Sequence, residues 1–128
     1  RALLRDRRSQ DGGWNIGNPD VLGAQLDGYL HTTSWAVMAL PDPADVEASW
    51  PFYDRVLARP STLNAALAVL AHVAHGRDAT PFVDALLARH RARGFGDRVD
   101  TVALAAIALR AHDRGTHPFS LREAAHGP

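Results

Sequence analysis

Asp27, Tyr29 and His31 are the residues whose types and spacing could do chemistry most directly. They bring a carboxylate, a phenol and an imidazole into one short segment just before an apolar run, a set that can orient a ligand's polar group or move a proton. The same residues also suit a plain loop, with Asp27 in a turn and Thr32 or Thr33 capping the helix that follows; both readings stand. His72 and His75 are three apart, which puts two imidazoles on one helix face. No third ligand is evident, and no metal site is assigned. His75-Gly76 suits a helix end, where imidazole favours the negative pole and Gly a left-handed cap, so both histidines are expected to be partly exposed at a terminus. His112 and His117 flank another expected terminus and read the same way. The nearest acidic pair, in Asp42-Pro43-Ala44-Asp45, reads as the cap of the next helix. Asp11-Gly12-Gly13 is too short for a phosphate loop and no Lys follows it. No nucleophile elbow is present.

Composition narrows the classes further. The 128 residues suit one domain, 1–128, and 46 % of them are hydrophobic, enough for a core. Much of that fraction is Ala, which favours helix and lets helices approach closely. Fourteen basic residues balance 14 acidic ones, so no strong field recruits nucleic acid. Every basic residue is Arg, which reads as compositional bias. The opening Arg1, Arg5, Arg7 and Arg8 read as a solvated helix face, with a nucleic-acid patch as the lesser alternative. Without Cys there are no disulfides and no thiolate zinc sites. No apolar stretch reaches the roughly 18 residues that span a bilayer, and no signal peptide is visible. A cytoplasmic protein without a cofactor is the expectation. The chain opens on Arg and not Met, which leaves room for a longer protein.

The elements that must position these residues come in copies. Residues 32–40 (TTSWAVMAL), 62–70 (TLNAALAVL) and 101–109 (TVALAAIAL) align without gaps, each from Thr to Leu, with Ala36, Ala66 and Ala105 in register. These runs are apolar nearly all round and predict helices buried on several sides. Thr32, Thr62 and Thr101 stand at or near the starts, with Ser61 and Asp100 as alternative caps. A more amphipathic segment precedes each run: Ala2, Leu3 and Leu4; then Phe52, Val56 and Leu57; then Phe82, Val83, Leu86 and Leu87. Pro51 and Pro81 mark helix starts and Pro60 a stop. The layout is outer helix, link, inner helix, in repeats of roughly 1–41, 46–76 and 79–114, with a short tail helix at 118–125. Trp50 is expected to pack an outer helix.

Two links share a glycine-aromatic signature. One is Gln10, Asp11, Gly12, Gly13 and Trp14; the other is Arg93, Gly94, Phe95 and Gly96. Glycine opens the turn, and the aromatic is expected to fold back over the end of the outer helix. Gln-Asp-Gly-Gly-Trp followed by a Thr-led, Ala/Leu-rich helix resembles the repeat of the prenyltransferase and squalene-oxidase superfamily. That superfamily includes squalene–hopene cyclases, terpenoid cyclases and protein prenyltransferase β subunits. The stretch 10–40 is most similar to bacterial repeat proteins of that superfamily whose function is not established. The resemblance implies an all-α fold of helical hairpins, about half of an α/α toroid, with inner helices around a central cavity. A half ring would expose the apolar sides of its end helices, which implies self-association or a missing second half.

The same resemblance implies a hydrophobic isoprenoid-type ligand. Asp27, Tyr29 and His31 would rim the cavity mouth, and Trp35 would line it with a ring face suited to cationic carbon centres. More often such a Trp is simply core. The chemistry does not carry over: the cyclases' Asp-x-Asp-Asp acid is missing, as is the Cys of the prenyltransferases' zinc site. Whether the chain is an enzyme is therefore left open. The other reading is a non-enzymatic repeat module that binds protein, or a fragment of a larger toroid.

Overall fold

The computed structural model describes residues 2–119. Helix α1 (Ala2–Asp6) is followed by a long link that carries a two-strand hairpin, β1 (Asp20–Val21) and β2 (Ala24–Gln25). Then come α2 (Leu30–Ala39), α3 (Pro43–Val46), a 3-10 turn (Glu47–Ser49), α4 (Trp50–Val56), α5 (Thr62–Ala74), α6 (Thr80–Arg93) and α7 (Val99–Arg114). The fold is all-α, the small hairpin apart. Pro118 and Phe119 lie in a turn, and the remainder of the tail helix expected at 118–125 falls outside the described residues.

Helix α5 is the hub and packs against α2, α6 and α7. Its residues from Ala65 to His72 are all buried, as an Ala-rich helix without a polar face requires. Local chemistry sets its ends. Pro60 precedes it, the Ser61 hydroxyl accepts from the Asn64 amide at 3.1 Å, and Gly76 follows in the left-handed region with φ +63°. Ser61 is thus the cap, and Thr62 is the first helical residue. Asp42 caps α3 by accepting from the Ala44 amide at 3.0 Å. Pro51 and Pro81 occupy the first turns of α4 and α6, where a missing N–H costs nothing.

Two expectations need correction. Helix α1 is a single turn with no buried residue, so Ala2 and Leu3 do not form a buried stripe and only Leu4 is partly covered. Helix α7 is not buried on several sides. It buries Ala105, Ala108 and Ala111 and leaves Val99 and Val102 exposed. This three-residue spacing is one stripe, laid on α5, and no further helix among the described residues covers the opposite face.

Aromatic side chains fill the space between α4 and α5. Tyr53 is fully buried and donates to the Ser34 hydroxyl at 3.1 Å, and Ser34 donates to the Leu30 carbonyl at 2.8 Å. This relay ties α4 to α2. Burial pushes the Tyr53 phenol well above its usual pKa, so it stays neutral.

The Asp11-Gly12-Gly13-Trp14 link is built by close approach. The Asp11 carboxylate accepts from the Gly13 and Gly28 amides, both at 3.0 Å. A Cβ on Gly12, where φ is +88°, would lie 2.1 Å from the Ala48 carbonyl oxygen. A Cβ on Gly28 would lie 2.6 Å from the Gly13 Cα. The Trp14 amide donates to the Thr33 hydroxyl at 2.9 Å, and its buried indole donates to the Leu4 carbonyl at 2.7 Å. Gln10 stays exposed in the turn. In the other signature, Gly94 ends α6 with φ +70°, and Phe95 stacks on His90 with ring centroids 4.2 Å apart.

Trp14→Ala is expected to destabilise the fold by about 3–5 kcal/mol in urea unfolding. Gly28→Ala should cost about 2 kcal/mol or more, since backbone stands where the methyl must go. Gly17→Ala, which meets nothing within 4 Å, should cost less than Gly28→Ala.

Candidate functional site

The hydrophobic residues that fail to find cover point to the site. Leu3 and Leu4 of α1, Trp14 of the link, and Trp35, Ala36 and Ala39 of α2 line an open groove of about 520 Å³, with Arg7, Asn15, Gly17 and Thr32 completing its wall. This volume falls in the range of small-molecule sites, roughly 300–1,000 Å³. The groove exists because α2 packs on α5 with one side, while the short α1 shields little of the other. Trp35 is 45 % exposed, an unusual state for the largest apolar side chain. Its ring lies 6.1 Å from that of Phe119, which is itself half exposed.

Polar contacts fix the Trp14 side of the groove. The Thr33 hydroxyl holds the Trp14 amide, the Thr32 hydroxyl donates to the Trp14 carbonyl, and the Tyr29 amide donates to that carbonyl at 2.8 Å. Trp14 is thereby clamped between α1 and the start of α2.

Of the residues singled out in sequence, Trp35 lines this groove, whereas Asp27, Tyr29 and His31 do not. Tyr29 and His31 stack with centroids 6.0 Å apart, and Tyr29 is more than half exposed. Asp27 is exposed in the link before α2. The four residues therefore do not line one cavity: three sit at the N-terminal end of α2 and one on its groove face. Sequence reasoning missed Arg7, Asn15 and Thr32 as groove residues. The only signal was indirect: Leu3 and Leu4 stand in a segment too short and too charged to bury them.

His72 corrects another expectation. It is not partly exposed at a helix end but only 7 % accessible. Its Nδ1–H donates to the Ala68 carbonyl at 2.8 Å, and its ring packs edge-on against Trp50 and Tyr53 and tilted against Phe82. Three apart on α5, the two imidazoles serve different partners: His75 ends the helix and uses Nε2–H to reach the Val37 carbonyl at 3.0 Å. Trp50 also carries the Arg77 guanidinium over its face at 4.5 Å. Among the described residues no three His, Cys, Asp or Glu side chains converge as a metal site. Asp45 receives a two-point contact from Arg5, at 2.6 Å for each nitrogen. The Asp42–Asp45 pair thus caps a helix and binds an arginine.

No protein-family model matches the chain, and no curated protein or solved structure is significantly similar to it. No helix among the described residues is long and apolar enough to cross a membrane.

Burial lowers the pKa of His72 below its usual 6.5, an effect the Ala68 carbonyl only partly offsets. His117 is lowered too, by burial and by His75. The neutral forms belong to the fold, so below about pH 6.5 the unfolded chain binds more protons than the native one. Stability is therefore complete above that value and is lost as pH falls through the depressed pKa values. Urea midpoints should drop between about pH 7 and pH 5, and His72→Phe should remove the larger share of that slope.

Proposed function

We propose that this chain is a cyclase- and prenyltransferase-like repeat domain that binds an isoprenoid-type apolar ligand in the α1–α2 groove. The observation that carries this reading is the exposed face of Trp35 in an apolar wall of binding-site size. A preformed hydrophobic groove gains most from a ligand rich in methyl and methylene groups, at about 25 cal/mol per Å² covered. The succession of α1, α3–α4 and α6 before α2, α5 and α7 supports a partial α/α toroid, in which the latter three form the inner layer. The acid and thiolate chemistry of the resembled enzymes has no counterpart in these residues, so the reading is of binding, with catalysis left to groups outside this chain if it occurs.

A second reading has its own observation. Apolar side chains are uncovered at both flanks of the α2–α5–α7 layer, Leu3 and Trp35 at one and Val99 and Val102 at the other. A second copy, or further repeats, laid against these flanks would extend the ring. Sedimentation equilibrium separates the readings: a concentration-dependent dimer supports this one, and a monomer throughout removes self-association.

For the leading reading, equilibrium dialysis with the isoprenoid alcohol farnesol should show saturable binding. Trp35→Ala should weaken it about tenfold. Because that ring is half exposed, the stability of the variant should stay within about 1 kcal/mol of the native chain. Absence of saturable binding to the native chain would overturn the proposal.

A further inference from the structure

Three arginines cluster around α1, and they are used differently. Arg5 grips the Asp45 carboxylate, and Arg8 donates through Nη1 to the Asp45 backbone carbonyl at 2.9 Å. Arg7 instead lines the groove, where it is the one charged side chain among the described lining residues. Its placement is fixed by the chain: its amide closes the α1 turn by donating to the Leu3 and Leu4 carbonyls, both at 3.2 Å. The Leu4 carbonyl also accepts the Trp14 indole, so the end of α1 is tied directly to the groove wall. Asn15 supplies a second polar element. Its Nδ2 donates to the Asn18 carbonyl at 3.0 Å, while its buried Oδ1 accepts nothing from the protein.

We infer that the ligand of this groove is an amphiphile with a single carboxylate, its apolar chain against Trp35, Ala36 and Ala39 and its acid group on the Arg7 guanidinium. This inference rests on the groove being the ligand site proposed above. Charge decides the class of head group. A partly buried arginine beside an apolar wall is matched by one negative charge, and its planar fork suits the two oxygens of a carboxylate. A diphosphate carries several charges and calls for several cations, and Arg5 and Arg8 are already engaged with Asp45. A neutral hydrocarbon would leave Arg7 desolvated without a counter-charge.

Farnesol and farnesoic acid share a chain and differ at the head, which makes them the probe pair. Dialysis near neutral pH should show the acid binding about tenfold more tightly than the alcohol to the native chain. Arg7→Gln should abolish that difference, and a urea unfolding midpoint close to that of the native chain reports that the variant is folded. Equal affinities for the two ligands, or an acid preference that survives Arg7→Gln, would overturn the carboxylate assignment and leave the groove reading intact. Failure of both ligands to bind the native chain would overturn both. Tighter binding of farnesyl diphosphate than of the acid would also overturn the single-carboxylate assignment.

Discussion

Where Gly13 passes Gly28, two stretches of backbone touch with no side chain between them, and the Asp11 carboxylate holds both amides together. From this crossing the rest of the N-terminal half takes its position. Trp14 leaves the crossing buried and hydrogen-bonded to the end of α1. Tyr29 leaves it with its amide on the Trp14 carbonyl, which aims α2. Gly12 lies under the Ala48 carbonyl and so fixes the distance to the 3-10 turn ahead of α4. Buried backbone amides must find acceptors, and here a carboxylate supplies two at once.

The second organising fact is the small size of the side chains that surround α5. Ala65, Ala66, Ala68 and Ala71 on this helix, and Ala105, Ala108 and Ala111 on α7, are buried methyl groups. They allow close helix approach, and dispersion across many short contacts replaces the contribution of large side chains. Bulk is concentrated instead on the α4 side, where Trp50, Tyr53, Phe82 and His72 interlock. The core is thus lopsided: rings on one side of α5, methyl groups on the other. The groove stands beyond α2, where neither kind of packing reaches.

Much of the helical framework was legible. The Thr-to-Leu runs at 32–40, 62–70 and 101–109 fall in or against α2, α5 and α7, because Ala-rich periodicity and flanking Ser, Pro and Gly are local signals. The need for glycine in Asp11-Gly12-Gly13 could be sensed from type alone. What it approached could not, since Gly28 is an isolated glycine and the contact is tertiary. His72 misled for a similar reason: proximity to His75-Gly76 suggests a helix end, whereas rotation about α5 decides that one imidazole enters the aromatic cluster. The polar trio Asp27, Tyr29 and His31 reads as one site in sequence because its members are neighbours there. The groove draws on α1, the link and α2, and no sequence window contains all three.

The small hairpin beyond the glycine crossing has a different significance. Its strands pair Asp20 with Gln25 and Val21 with Ala24, and Leu22 and Gly23 turn at its tip with φ +53° and +79°. The Asp20 carboxylate closes it on itself through the Gly23 amide and the Gln25 side chain. Its residues are exposed, and the glycine crossing lies at its base. This makes it a graft point: chain can be lengthened, shortened or exchanged between Pro19 and Leu26 without moving Trp14 or α2, so that new recognition elements can be added beside the groove while the scaffold beneath stays the same.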